Sequence, residues 1–224
     1  MKTNNILKLG LLGISLVLLI IAHYMVFLYV PTEATMGIVQ RIFYVMLPMG
    51  WLAMLSSLII FIGSIFYIRT RNDKWDALAY SAAEMGFLFA TLTLLTGIMW
   101  AKPVWGVWWT WEPRLTATLV LWLIFLTYLT IHTVAIEPSR RALFAAVVGI
   151  VSFIDVPIIG MATTLWRGMH PGGIVFQGGL APEMLLTLMV SLVAFTALYA
   201  IILIQRVALK NDQMTIDKLK TLRD

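Results

Sequence analysis

Six continuous apolar runs divide the chain, at roughly residues 7–30, 48–68, 78–99, 114–135, 142–163 and 182–205. A helix needs about 20 mostly apolar residues to cross the hydrocarbon core of a bilayer, and each run qualifies. Transmembrane barrels alternate apolar and polar residues in short strands, and none of these runs does. The pattern therefore predicts an all-α, polytopic membrane protein: a six-helix transmembrane bundle. The segments between runs are short, so residues 1–224 read as one bundle with a short tail at 206–224 and no separate soluble domain. Lys2 and Lys8 precede the first run as they would a signal peptide. From Leu9 to Val30 the run is too long for a cleaved apolar core and lacks a small-x-small site, so it reads as a retained first helix.

Composition agrees: 61% of residues are hydrophobic and 12% charged, with a mean hydropathy of +0.91. Charge adds orientation, because cytoplasmic segments of membrane proteins collect Lys and Arg. Twelve of the 16 basic residues fall in the N-terminus, the 69–77 and 136–141 connections and the tail. The opposite side holds Arg41, Lys102, Arg114 and Arg167. Both termini are thus expected in the cytoplasm. The net charge of +5 is a topology signal and does not point to nucleic acid.

The three connections expected outside are 31–47, 100–113 and 164–181. In the first, Met36, Val39, Phe43 and Met46 recur at helical spacing, which predicts a short amphipathic helix on the membrane face, with Pro48 and Gly50 opening the second span. The third is rich in Gly and Pro and reads as an irregular loop carrying His170.

The middle connection is the unusual one. It gathers Trp100, Trp105, Trp108, Trp109 and Trp111, then closes with Glu112, Pro113 and Arg114. Indoles also form interfacial belts in membrane proteins, but a belt spreads over both ends of many helices. Here five of nine tryptophans share one loop. A wide π face with a single N–H donor suits a half-wet, half-oily place. The cluster reads as a platform for a large, flat, mostly apolar ligand, and Lys102 and Arg114 as partners for negative charge on it. Glu112-Pro113 also reads simply as a helix start, and that helix end attracts carboxylates as well.

No cysteine is present, which leaves His, Met and carboxylates as metal ligands and excludes covalent haem attachment through the chain's own thiols. A lone loop histidine is ordinarily just solvated. Opposite a tryptophan platform, however, His170 becomes an axial-ligand candidate, since imidazole and thioether both bind haem iron. His23 and His132 lie in spans one and four, near the outer and inner faces, where hydrogen bonding within the bundle is the plainer role. Glu84 and Asp155 are intramembrane acids with expected structural or gating roles, Asp155 as a cap where Pro157 breaks its helix. No phosphate-cradling loop, nucleophile elbow or i, i+4 histidine pair appears. The chain does not read as an enzyme.

Three stretches together resemble the haem-handling proteins of cytochrome c maturation. Trp105-Gly-Val-Trp-Trp-Thr-Trp-Glu-Pro-Arg-Leu-Thr116, preceded by Leu95-Thr-Gly-Ile-Met-Trp-Ala-Lys-Pro103, resembles the tryptophan-rich "WWD" segment of the CcmC/CcmF/CcsA superfamily. Arg41–Pro48 resembles the segment carrying the first external histidine of the CcmC family, and Phe153-Ile-Asp-Val-Pro157 with Trp166 and His170 the approach to the second. The likeness covers about residues 36–182. It implies non-covalent haem b at the periplasmic face of a bacterial inner membrane, cradled by Trp105, Trp108, Trp109 and Trp111. Arg114 and Lys102 would meet the propionates and His170 the iron. It further implies delivery to the chaperone CcmE, alongside CcmA, CcmB and CcmD. Met46 stands where the family's first histidine is expected, and Glu112 where the hallmark has Asp. Two arrangements stay open: His/Met coordination, or five-coordinate iron until a partner supplies a ligand. The rivals are a CcsA-type synthase subunit, a b-type electron-transfer subunit, which needs facing histidines inside the bundle, and a transporter with a tryptophan gate.

Overall fold

The computed structural model describes residues 2–134, 137–166 and 178–221. A bilayer offers no water to backbone amides, so an apolar run satisfies itself by coiling. Among the described residues six α-helices result: α1 (Lys2–Tyr24), α2 (Phe43–Thr70), α3 (Asp73–Trp105), α4 (Pro113–Ile131), α5 (Pro138–Leu165) and α6 (Pro182–Thr221). Each belongs to a segment long and apolar enough to cross a membrane. Among the described residues, the single bridge between Glu33 and Gly37 is the one trace of β pairing.

The entry to α2 differs from the expected surface helix. α1 widens into one π turn, Met25–Tyr29, and stops at extended Val30 before Pro31. The Glu33 carboxylate then accepts the backbone N–H groups of Thr35, at 2.8 Å, and Met36. Gly37, at φ 60° and ψ −141°, takes a conformation closed to side-chain-bearing residues. The chain turns into a 3₁₀ segment, Ile38–Ile42, that runs straight into α2. Of the residues at helical spacing, Val39, Phe43 and Met46 lie in this run at the mouth of the second span, while Met36 lies in the turn before it. Pro48 therefore lies inside α2, in its second turn, where it forgoes a bond to the Tyr44 carbonyl. α5 likewise stays continuous through Pro157, so Asp155 is buried mid-helix and caps no break.

At the opposite, basic end the connections are tight. Arg71 takes the left-handed conformation at φ 54° and returns its N–H to the Tyr67 carbonyl at 2.8 Å. Asn72 then caps α3 by accepting the Lys74 N–H at 3.1 Å. Glu137 caps α5, accepting the Ser139 N–H at 3.2 Å and hydroxyl at 2.6 Å, and these bonds hold its carboxyl below the usual carboxylate range.

Polar residues tie the bundle together inside. Ser57 and Ser152 hydrogen-bond between α2 and α5 at 2.9 Å, and Ser56 bonds the Tyr199 hydroxyl of α6 at 2.9 Å. Leu52, Ile60, Phe89, Leu121 and Phe125 fill the space around them. At the basic end His132 lies 3.7 Å from Asp76, with the Tyr80 ring edge-on at 4.8 Å.

α6 is the longest element, at 40 residues. At 1.5 Å per residue it spans about 60 Å, twice a hydrocarbon core of about 30 Å. The expected tail is thus a continuation of the last helix, docked on the first half of α3. Arg206 grips the Glu84 carboxylate with bonds of 2.6 and 3.0 Å, Lys210 sits 3.6 Å from the Tyr80 ring centre, and Lys218 pairs with Asp73. Glu84 has its role here.

Helices approach most closely at glycines. A Cβ on Gly149 would stand 2.5 Å from Ser64 Oγ and 2.7 Å from Ile60 Cγ2, whereas one on Gly160 meets nothing within 4 Å. Gly149→Leu is expected to lower the thermal midpoint in mild detergent through overpacking of about 1–3 kcal/mol. Gly160→Ala should leave it unchanged or raise it. Matching midpoints for the two variants would contradict this packing.

Candidate functional site

The tryptophan connection is shorter than its sequence implies, because α3 continues through Trp100 and Trp105. It ends at Gly106, which adopts φ 77° and returns its N–H to the Lys102 carbonyl at 3.0 Å. The Lys102 ammonium donates back to the Gly106 carbonyl at 2.9 Å. Cations favour this end of a helix, where carbonyls lack partners. Pro103 falls in the last turn and costs only one bond there. The non-helical piece is residues 106–112, after which Pro113 opens α4 with the Thr116 N–H on the Glu112 carbonyl at 3.0 Å. Gly106 directly after Trp105 is a C-cap signal, and it was the sequence clue to this longer helix.

The five indoles divide by position. Trp100 is 8% exposed and packs edge-to-face on Trp105, with centroids 5.1 Å apart at 85°. Trp109 and Trp111 make a second edge-to-face pair at 5.6 Å and 81°. Such pairs add to plain burial and fix ring planes. The outward surface belongs to Trp108, 58% exposed, and Trp111, 76% exposed. Lys102 Nζ stands 5.7 Å from the Trp108 ring centre, in cation–π range. One ammonium thus caps α3 and charges the rim of the exposed indole. Trp105 and Trp109 are half-buried supports beneath.

Three donors in the same segment lack hydrogen bonds among the described residues while being shut off from solvent: Trp109 Nε1, Thr110 Oγ1 and Thr116 Oγ1. Buried polar atoms are nearly always paired, so this set fits an acceptor-rich ligand. Arg114 is partly buried in the first turn of α4 and Glu112 is buried at its start. Met46 lies at the same end. Its Sδ would be 3.8 Å from a Cβ on Gly97, three residues before Trp100 along α3. The thioether therefore faces α3. His170 lies outside the described residues, as does Arg167. Of the other histidines, His132 belongs to the basic end, and His23 is exposed on the outward side of α1.

A family model described as "CcmC: Heme exporter protein C" matches residues 1–221. The chain belongs to the heme exporter protein C family. It is 33% identical over 185 residues to the Heme exporter protein C of Bradyrhizobium diazoefficiens, a match covering 81% of this chain and 70% of that protein. Identity to the Escherichia coli K12 protein of the same name is 28% over 196 residues, 86% of this chain and 78% of the relative. A ccmC-like mitochondrial protein of cytochrome c biosynthesis from Marchantia polymorpha is 30% identical over 169 residues, 75% of this chain and 72% of the relative. The family match thus extends well beyond the stretch of about residues 36–182 that carries the resemblance in sequence.

The division among indoles is testable. Trp100→Ala should cost about 3–5 kcal/mol of stability through the cavity it leaves. Trp111→Ala should stay within about 0.5 kcal/mol of the parent. Thermal unfolding of both variants in the same detergent reads this directly, and equal losses would show that the exposed and packed rings are wrongly assigned.

Proposed function

We propose that this chain binds haem b non-covalently on the tryptophan segment and passes it to a CcmE-like periplasmic chaperone, working with CcmA-, CcmB- and CcmD-like partners. The supporting observation is the juxtaposition of exposed Trp108 and Trp111, the held Lys102 ammonium and three unpaired buried donors in one short segment. Its chemistry matches an amphiphilic macrocycle. Ring faces meet indole faces, and carboxylates meet Lys102, Arg114 and the free N–H and O–H groups. Family membership supplies the cargo, since the relatives carry haem export in their name.

In this reading the segment lies at the periplasmic face of a bacterial inner membrane, opposite the end that gathers most basic residues. The bilayer itself is the protein's solvent along six spans. The protein is a carrier: it holds, orients and releases, and no bond of the macrocycle changes. Stacking and apolar burial supply most of the affinity, and iron ligation fixes orientation. His170 is the proposed first ligand. Met46 is the proposed second, which requires its thioether to turn away from Gly97. A b-type electron-transfer role needs facing histidines inside the bundle, and the two described ones, His23 in α1 and His132 at the end of α4, lie toward opposite ends of it.

Purified chain titrated with haem should develop a Soret band and score in a pyridine haemochrome assay. A protein that stays colourless would overturn the proposal. His170→Ala should shift the Soret band while His132→Ala leaves it in place. Met46→Ala should remove the thioether–iron charge-transfer band, and an unaltered spectrum would eliminate His/Met coordination.

A further inference from the structure

His23 is the one described imidazole that faces outward from the bundle on the tryptophan side of the membrane. Its Nδ1 donates to the Leu19 carbonyl one turn earlier at 2.8 Å, which in the neutral ring leaves the lone pair on Nε2. The side chain is exposed on α1, the least covered of the six candidate spans. The span ends at Tyr29, six residues on. At 1.5 Å per residue, the His23 Cα is about 9 Å below that end, and its side chain is exposed. An acceptor without a partner is costly in hydrocarbon, and an ionisable group there points to a ligand.

Two neighbours define the ligand. Phe27 stacks on His23, at 6.4 Å and 27°, and braces the ring. Arg41, from the 3₁₀ segment, carries its guanidinium 6.0 Å from the centre of Phe27. His23, Phe27 and Arg41 thus form a contiguous row of imidazole, phenyl ring and guanidinium. Phe27 lies in the π turn Met25–Tyr29, and such turns recur at functional sites. Ile20, Tyr24 and Phe27 offer an exposed apolar face beside the imidazole.

This place is separate from the tryptophan segment. His23 and Phe27 line a narrow crevice with Tyr44, Val45 and Ser191, whereas the next residue of α2, Met46, faces α3 at Gly97. Ser191 at the crevice wall is 1% exposed, and its hydroxyl has no hydrogen-bond partner among the described residues.

We propose that His23, Phe27 and Arg41 form a second, lipid-facing haem site, where haem dissolved in the adjoining leaflet docks before it reaches the tryptophans. The His23 Nε2 lone pair takes the iron, the porphyrin covers the apolar face of α1, and the propionates point to water and meet Arg41. This rests on the haem-carrying reading above. It adds a lateral entrance to that reading.

The test uses the full chain in phosphatidylcholine nanodiscs, with Trp108→Ala, Trp111→Ala and His170→Ala combined to disable the tryptophan site. Ferric haem should still bind with an imidazole-ligated spectrum. Adding His23→Ala should abolish that spectrum, and free imidazole should restore it. Arg41→Gln should weaken haem about fivefold to tenfold, as expected for losing a charged hydrogen-bond partner, and should leave haem dimethyl ester, which lacks the carboxylates, unaffected. If the unmodified chain binds haem and the disabled chain does not, the second site is refuted while the carrier reading stands. If neither binds, both fall. An unchanged spectrum on His23→Ala, or retention of phospholipid but no haem, also overturns the assignment. Matching thermal midpoints for His23→Ala and its parent exclude misfolding as the cause.

Discussion

The bilayer leaves every backbone amide to find its partner within the chain, and the rest of this structure depends on that constraint. It turns six apolar runs into six helices and confines irregular backbone to the ends. Chemistry follows the same confinement. Among the described residues, the non-helical connection with unusual side chains is 106–112, where α3 stops and α4 starts. Its indoles, caps and unpaired donors are products of two helix ends meeting.

Much of the fold is legible in the sequence because the hydrocarbon layer is a strong filter. The sixth run starts at Pro182 as the helix does, and the fourth starts within a residue of Pro113. Where element bounds differ from the apolar pattern, one cause recurs. An apolar window reports where hydrocarbon begins, and a helix need not stop there. α3 begins at Asp73 and ends at Trp105, beyond its apolar stretch at both ends, and α6 continues to Thr221. What carries α6 onward is pairing with α3 across more than a hundred residues of chain, Arg206 with Glu84 and Lys218 with Asp73. No local pattern announces such partners.

The candidate site is legible in kind and not in detail. The density of indoles between two spans is plain from the sequence. Which rings pack and which face out depends on edge-to-face partners. Trp100 and Trp105 are bound into α3, while Trp108 and Trp111 stand outside it. Lys102 reads from sequence as a free charge for a carboxylate, and the structure gives it a helix end to cap. Its companion Arg114 is partly buried in α4. Met46, placed among ligands by resemblance, turns its sulfur toward α3.

The bond from Lys102 to Gly106 has a consequence for how tightly a ligand can be held. An unanchored lysine carries about 2 kcal/mol of rotamer entropy, which a binding carboxylate must quench. Here folding has already removed part of it. One of the three N–H groups is engaged at 2.9 Å, and the ammonium is parked beside the Trp108 face with the other two to spare. An anion arriving at the proposed site would meet a partly preorganised charge, so more of the attraction would be kept as affinity.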